Sequence, residues 1–246
     1  MLLSIIFFIL SIIPSILIVK WLKNRRKDDL AYQESCKSAI ARGLVAVLPI
    51  IAVSGVLALT ENILRATLFK DMSILVYEAM HTFIVLAFAE ELVKFTAFKL
   101  LLKKRFNDYS WADVTAYMVI IGTVFGLVED IPYAIGSSPM VMLVRGITMG
   151  HVGYAFIMGW FYGKSLYTGD KKYAVMAFVI PFIIHGLYDF SLTPELLQLN
   201  DNYSIIAFLL ALLDLVLLFL MIRFFRRSRK KEFYNEPLSV SQGQAF

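Results

Sequence analysis

The chain has 246 residues, of which 59% are hydrophobic and 17% charged, with a formal net charge of +5. A soluble domain carries about a quarter charged residues, and the mean hydropathy here is +0.71, so a soluble enzyme, a disordered chain and a soluble nucleic-acid binder are all excluded. One cysteine, Cys36, leaves no intrachain disulfide possible.

A bilayer core of about 30 Å needs about 20 mostly apolar residues per helix. In chain order the apolar runs predict seven spans: 2–22, 40–60, 74–98, 113–133, 140–163, 173–193 and 204–223. The first lacks a basic residue ahead of it and a small-residue cleavage pattern, so it reads as a retained span rather than a removed signal. The longest connector, roughly 23–39, is charged and contains KNRRKDD. Cys36 falls in it with no base at a recognisable spacing. The expected fold is all-α: a polytopic membrane helix bundle forming one membrane-embedded domain over 1–246, with a basic tail at 224–246.

Basic residues set the orientation. Nineteen lie on one set of connectors, namely around Lys20–Lys37, Lys99–Arg105 and Lys164–Lys172 and in the tail from Arg223 to Lys231; only Arg65 and Lys70 lie on the other. Basic loops stay in the cytoplasm, so the N-terminus is expected outside and the C-terminus inside. The run FFRRSRKK, placed just after a span, reads as an anionic-lipid anchor rather than a nucleic-acid patch.

Three basic residues remain: Arg42, Lys94 and Arg145. Arg42 is near a helix end and can snorkel. Lys94 and Arg145 lie deeper, with Glu90, Glu91, Glu129, Asp130, Asp189, Asp214, His151 and His185 also in predicted spans. Ionisable groups inside a bilayer are costly and mark functional polar sites by default. Glu90–Lys94, Glu129–Tyr133 and His185–Asp189 are each four apart, on one helix face. The aspartate can orient the imidazole. At about 1.5 Å per residue, Glu90, His151 and His185 lie about 13, 17 and 18 Å from their span ends. They are candidates for one layer near mid-depth. Nothing in the spacing pairs Asp214. Glu78 and His81 read as interfacial. GTVFG, GITMG and GWFYG are GxxxG patterns that permit close helix packing.

Two mechanisms fit a carboxylate with two imidazoles. Glu90 or Glu91 can serve as a general base toward water while the histidines stabilise an oxyanion. Alternatively, His151, His185 and a carboxylate can bind zinc with one position open to water. No HExxH motif is present. Each pair also has a bland reading: Glu90–Lys94 as a structural ion pair, His185–Asp189 as a packing hydrogen bond, His151 as a buried structural histidine. A transporter would use buried charges too, but would show inverted repeats. A non-catalytic scaffold would need no paired glutamates.

EELVKF (Glu90 to Phe95) resembles the EExxK signature of the PrsW family of intramembrane proteases. FGLVEDIPY (Phe125 to Tyr133), RGITMGHVGYAFIMG (Arg145 to Gly159) and HGLYDF (His185 to Phe190) resemble its three further motifs, in family order. Asp130 departs from the pattern, which has asparagine there. The resemblance covers about 74–193, a four-helix catalytic core. It implies a multipass peptidase of a bacterial or archaeal plasma membrane that cuts single-span membrane proteins, anti-sigma factors in some relatives, within or near the bilayer. The wider superfamily holds the CAAX prenyl endopeptidases and a non-catalytic scaffold subunit of gamma-secretase. The family wavers between glutamic and metallo types. Carried over, Glu90 is the expected base and Glu91 its partner. Glu129 is a third acid, and His151 and His185 are catalytic or zinc-binding. Lys94, Tyr133, Arg145 and Asp189 support them. No nucleic-acid partner is expected.

Overall fold

A computed structural model describes residues 2–103, 109–136 and 138–229; the basic residues Lys104 and Arg105 and the tail beyond Arg229 lie outside the described residues. Every regular element among the described residues is helical.

Helix α1 (Leu2–Lys23) leads through a single 3-10 turn, Asn24–Arg26, into α2 (Leu30–Val45). The expected connector 23–39 is therefore largely helix. Asp29 starts α2 by accepting a hydrogen bond from the Tyr32 backbone N–H at 2.9 Å. Tyr32, Ser35, Cys36, Ala39 and Gly43 form one buried stripe at helical spacing. Cys36 is thus a core residue, not a connector thiol. The stripe packs on α6, with the Gly43 α-carbon so close that a Cβ would meet the Ile121 carbonyl at 2.8 Å. After Ala46, α3 (Val47–Thr67) continues nearly in line.

The expected span 74–98 is an unbroken rod of three parts. These are α4 (Ile74–Met80), a π-helical segment (His81–Phe88) and α5 (Ala89–Leu102). At its α4 end Glu78 is buried within the protein. Across from it His81 Nδ1 meets Glu61 Oε2 of α3 at 2.8 Å, and Arg65 covers the Tyr77 ring at 4.1 Å.

Helix α6 (Trp111–Gly136) is buried from Trp111 to Gly126. The expected span 140–163 is two helices, α7 (Pro139–Thr148) and α8 (Gly150–Thr168), parted at Met149, which takes the left-handed conformation at φ 47°. Helices α9 (Lys171–Ser191), α10 (Pro194–Leu199) and α11 (Asn202–Ser228) complete the chain. Asp170 caps α9 through the Lys172 backbone N–H at 2.9 Å.

Among the described residues, six helices are long and apolar enough to cross a membrane: Ile6–Arg26, Leu30–Thr67, Trp111–Ile135, Met140–Thr168, Lys171–Ser191 and Asn202–Ser228. The rod 74–102 is not among them. Its α-helical parts run only 7 and 14 residues, and it carries the charges Glu78, Glu90, Glu91, Lys94 and Lys99.

Helices α6 and α8 form the central pair. Each contributes glycines that face residues of the other: a Cβ on Gly122 would strike Ala155 at 2.4 Å, and one on Gly163 would strike Trp111 at 2.3 Å. Small residues at this seam let the backbones approach. Helices α9, α2, α1 and α11 pack around the pair, and the π segment lies on α9, where Phe83 and Phe88 meet Phe178, Phe182 and Phe190.

One buried charge cluster closes the basic end. Asp113, fully buried, accepts from Arg25 at 2.9 Å and Arg26 at 2.7 Å. The Ser110 hydroxyl donates to it at 2.8 Å. Arg25 also donates to the Ser228 hydroxyl at 3.0 Å. The cluster ties the ends of α1, α6 and α11 together.

Candidate active site

The second cluster lies where α5, α6, α7, α8 and α9 meet. Glu90, Glu91 and Lys94 begin α5. Glu91 is fully buried, and its Oε1 accepts from Lys94 Nζ at 2.5 Å and from His185 Nδ1 at 2.9 Å. The four-residue pair Glu90–Lys94 is longer, at 3.7 Å. The tighter ion pair is thus Glu91–Lys94, three residues apart. Lys94 also reaches His151 Nδ1 at 3.3 Å and lies 4.8 Å from the Phe125 ring centre.

His185, on α9, is held from two sides. Glu91 takes Nδ1, leaving Nε2 turned toward Asp189 Oδ2 at 3.3 Å and Glu90 Oε2 at 3.8 Å. Asp189 thus meets the imidazole as the spacing suggested, and Glu91 holds it from the other nitrogen, which the spacing could not show. The neighbours of Nε2 are all acceptors. Tyr154 of α8 stacks on the ring, with centroids 5.1 Å apart.

His151 stands at the first turn of α8, just after the Met149 break. Its Nε2 is in direct contact with Glu129 Oε2. The rings of His151 and His185 meet edge to face at 5.3 Å. On α6, Gly126 makes room for His151: a Cβ there would stand 2.9 Å from its Cδ2. Glu129 Oε1 accepts from Arg145 at 3.1 Å, and Asp130 accepts from the same guanidinium at 2.8 Å. Tyr133 serves Arg145 rather than Glu129, its ring centre lying 3.9 Å from the guanidinium carbon. Asp130, the departure from the familiar pattern, becomes a second anchor for that arginine.

Glu90, His151 and His185 each present a ligand atom, all within 4.8 Å of one another. Two observations make this set fit a cation. Five carboxylates (Glu90, Glu91, Glu129, Asp130 and Asp189) share only two full cations, Lys94 and Arg145. And Glu90 Oε2 is buried without a hydrogen bond, an arrangement that is unfavourable unless something positive meets it. Beside the set is a cavity of about 40 Å³, lined by Glu129, Asp130, Arg145, His151, His185 and Asp189, with room for a few waters.

A family model described as PrsW family intramembrane metalloprotease matches residues 38–221. The chain belongs to that family. The match reaches beyond the motif-bearing helices α5 to α9 to take in half of α2, all of α3 and most of α11. A relative from Clostridioides difficile (strain 630), named Protease PrsW, is 27% identical over 201 residues, which span 76% of this chain and 79% of the relative. A Protease PrsW from Bacillus subtilis (strain 168) is 28% identical over 156 residues, 61% of this chain and 66% of the relative. No solved structure matches the chain. Family and helices together make it a multipass membrane peptidase.

The sequence reading missed three partners here: Glu61 for His81, Tyr154 on His185, and Asp130 for Arg145. Glu61 and Asp130 each left a signal, a charge close to or inside an apolar run, whereas Tyr154 left none.

Proposed function

We propose that the protein hydrolyses peptide bonds of single-span membrane proteins, in the manner of anti-sigma-factor cleavage, and that Glu90, His151 and His185 would hold a zinc ion for the reaction. The observation that carries this reading is the convergence of these three side chains, from three helices, beside a water-sized cavity inside an apolar bundle. In this reading the rod 74–102 crosses the membrane as a seventh span, which puts the two chain ends on opposite sides.

A zinc ion there would supply Lewis acidity, polarising the scissile carbonyl and acidifying water. The remaining chemistry belongs to the chain. The substrate helix must unwind locally, because a helical peptide bond is shielded by its own backbone. Glu90 has two carboxylate oxygens, so one can face the cation while the other takes the proton of the attacking water. Lys94, between Glu90 and His151, would donate to the developing oxyanion. Glu91 holds the His185 tautomer by accepting from Nδ1. Arg145 keeps Glu129 against His151.

The test is a purified, chelator-free preparation analysed for metal, alongside cleavage of a panel of tagged single-span substrates. About one zinc per chain, lost in His151→Ala and His185→Ala, with cleavage of at least one substrate, is the expected result. Folded protein without stoichiometric metal would overturn the zinc assignment, and a panel left uncut would favour a scaffold.

A further inference from the structure

Asp214 has no part in the arrangement above. It lies within α11 with 1% of its surface exposed, and neither carboxylate oxygen has a hydrogen-bond partner. The buried Tyr154 hydroxyl of α8 has none either. The two groups share one space. Asp214 Oδ2 and the Tyr154 hydroxyl each lie 3.1 Å from the point where a Cβ on Gly150 would stand, and Asp214 Oδ1 lies 3.8 Å from the same point at Gly153. Two glycines on α8 thus clear a polar niche against α11. Any side chain at position 150 would intrude on it.

A buried carboxylate without a partner is costly in an apolar bundle, and a lone packing role does not explain it, since leucine would pack there at no such cost. The niche has a direct line to the active site. The Tyr154 ring is stacked on His185 at 5.1 Å, with 25° between planes, and meets His151 edge to face at 6.1 Å. Whatever holds the hydroxyl end of Tyr154 therefore holds the wall behind His185.

We propose that Asp214 is a positioning residue for hydrolysis: its carboxylate accepts a hydrogen bond from one water in the niche, which in turn accepts one from the Tyr154 hydroxyl, and so fixes the ring that backs His185. Only the activity arm of the test rests on the protease reading. The placement of Tyr154 and His185 does not.

The chain has three histidines, so nitrogen NMR of histidine-labelled, full-length protein in detergent resolves each ring. Asp214→Leu and Tyr154→Phe are each expected to move the His185 ring resonances and to leave His81 in place, while Asp214→Asn stays near wild type. In cleavage of a tagged single-span substrate, Asp214→Leu is expected to lower kcat about tenfold with KM unchanged, as loss of a supporting partner does. The double variant Asp214→Leu/Tyr154→Phe should be no worse than either single one, because both act through one contact. Thermal stability of Asp214→Leu should not fall. Unmoved His185 resonances, additive losses, or a stability loss that parallels the activity loss would each overturn the assignment. If the wild type cuts no substrate, the protease reading fails and the resonances alone decide the role of Asp214.

Discussion

The bundle holds two buried charge clusters, and they are built on opposite rules. At the basic end one carboxylate, Asp113, meets two arginines and a serine, and both of its oxygens accept hydrogen bonds. In the active site five carboxylates share Lys94 and Arg145, and Glu90 Oε2 accepts none. A fully satisfied network fixes a fold, whereas a network short of positive charge holds free-energy cost in reserve for a ligand or a reaction. Each has a fully buried carboxylate at its centre, Asp113 in one and Glu91 in the other. The balance of donors and acceptors is what separates structure from chemistry.

The sharpest way to break this comparison is Glu90→Gln. It keeps shape but removes the proton acceptor, so cleavage should fall by about 10²–10⁴-fold with the helical circular dichroism unchanged. Full activity would sink the assignment of Glu90. The mirror experiment is Asp113→Ala, which removes the buried carboxylate that Arg25 and Arg26 share at the basic end and leaves Arg26 with Asp29 and Arg25 with Ser228. Breaking a buried pair from one side costs about 3–5 kcal/mol, so thermal unfolding in detergent should shift markedly downward, while kcat per folded molecule holds. Gly126→Ala sits between the two rules. Its Cβ would press on the His151 ring at 2.9 Å, and a small misplacement of a reacting group costs up to about 100-fold. About a tenfold loss of kcat is expected, against no change for Gly55→Ala, which meets nothing within 4 Å. The smallest effect belongs to Tyr109→Phe, which removes the 3.2 Å hydrogen bond to Ser35. About 1 kcal/mol of stability should go, with cleavage unaffected.

Much of this architecture is legible in the sequence because the bilayer demands long apolar helices, and each charge inside one stands out. Glu90, His151 and His185 could be placed at similar depths from helical rise alone. What the spacing could not provide is which helix faces which. His185 and Asp189 are one turn apart, yet the partner that fixes the His185 tautomer is Glu91, 94 positions away. Lys94 likewise prefers the residue three before it to the one four before it, since rotamers and the nearby imidazoles decide between two allowed neighbours. Helix α2 was hidden because its polar face is as long as its buried one. The break at Met149 was hidden because no glycine or proline stands at that position. The rod 74–102 fell short as a plain hydrophobic span because of its charges, three of which, Glu90, Glu91 and Lys94, belong to the candidate site.

The π-helical segment carries a consequence for how this rod tolerates change. A π turn closes a wider ring than an α turn and accommodates one surplus residue per bulge. His81 opens that segment, and it ends at Phe88, two residues before Glu90. The underwound turn takes up that surplus without changing the angular phase between the Glu61–His81 contact at one end and the carboxylates at the other. Deleting a single apolar residue between Thr82 and Ala87 would let the rod relax to plain α-helix with its two ends near their present phase, whereas deleting Ala89, just ahead of Glu90, would turn the carboxylates by about 100°. The π segment is therefore the stretch of the rod that can lose one residue at the least cost to the carboxylates.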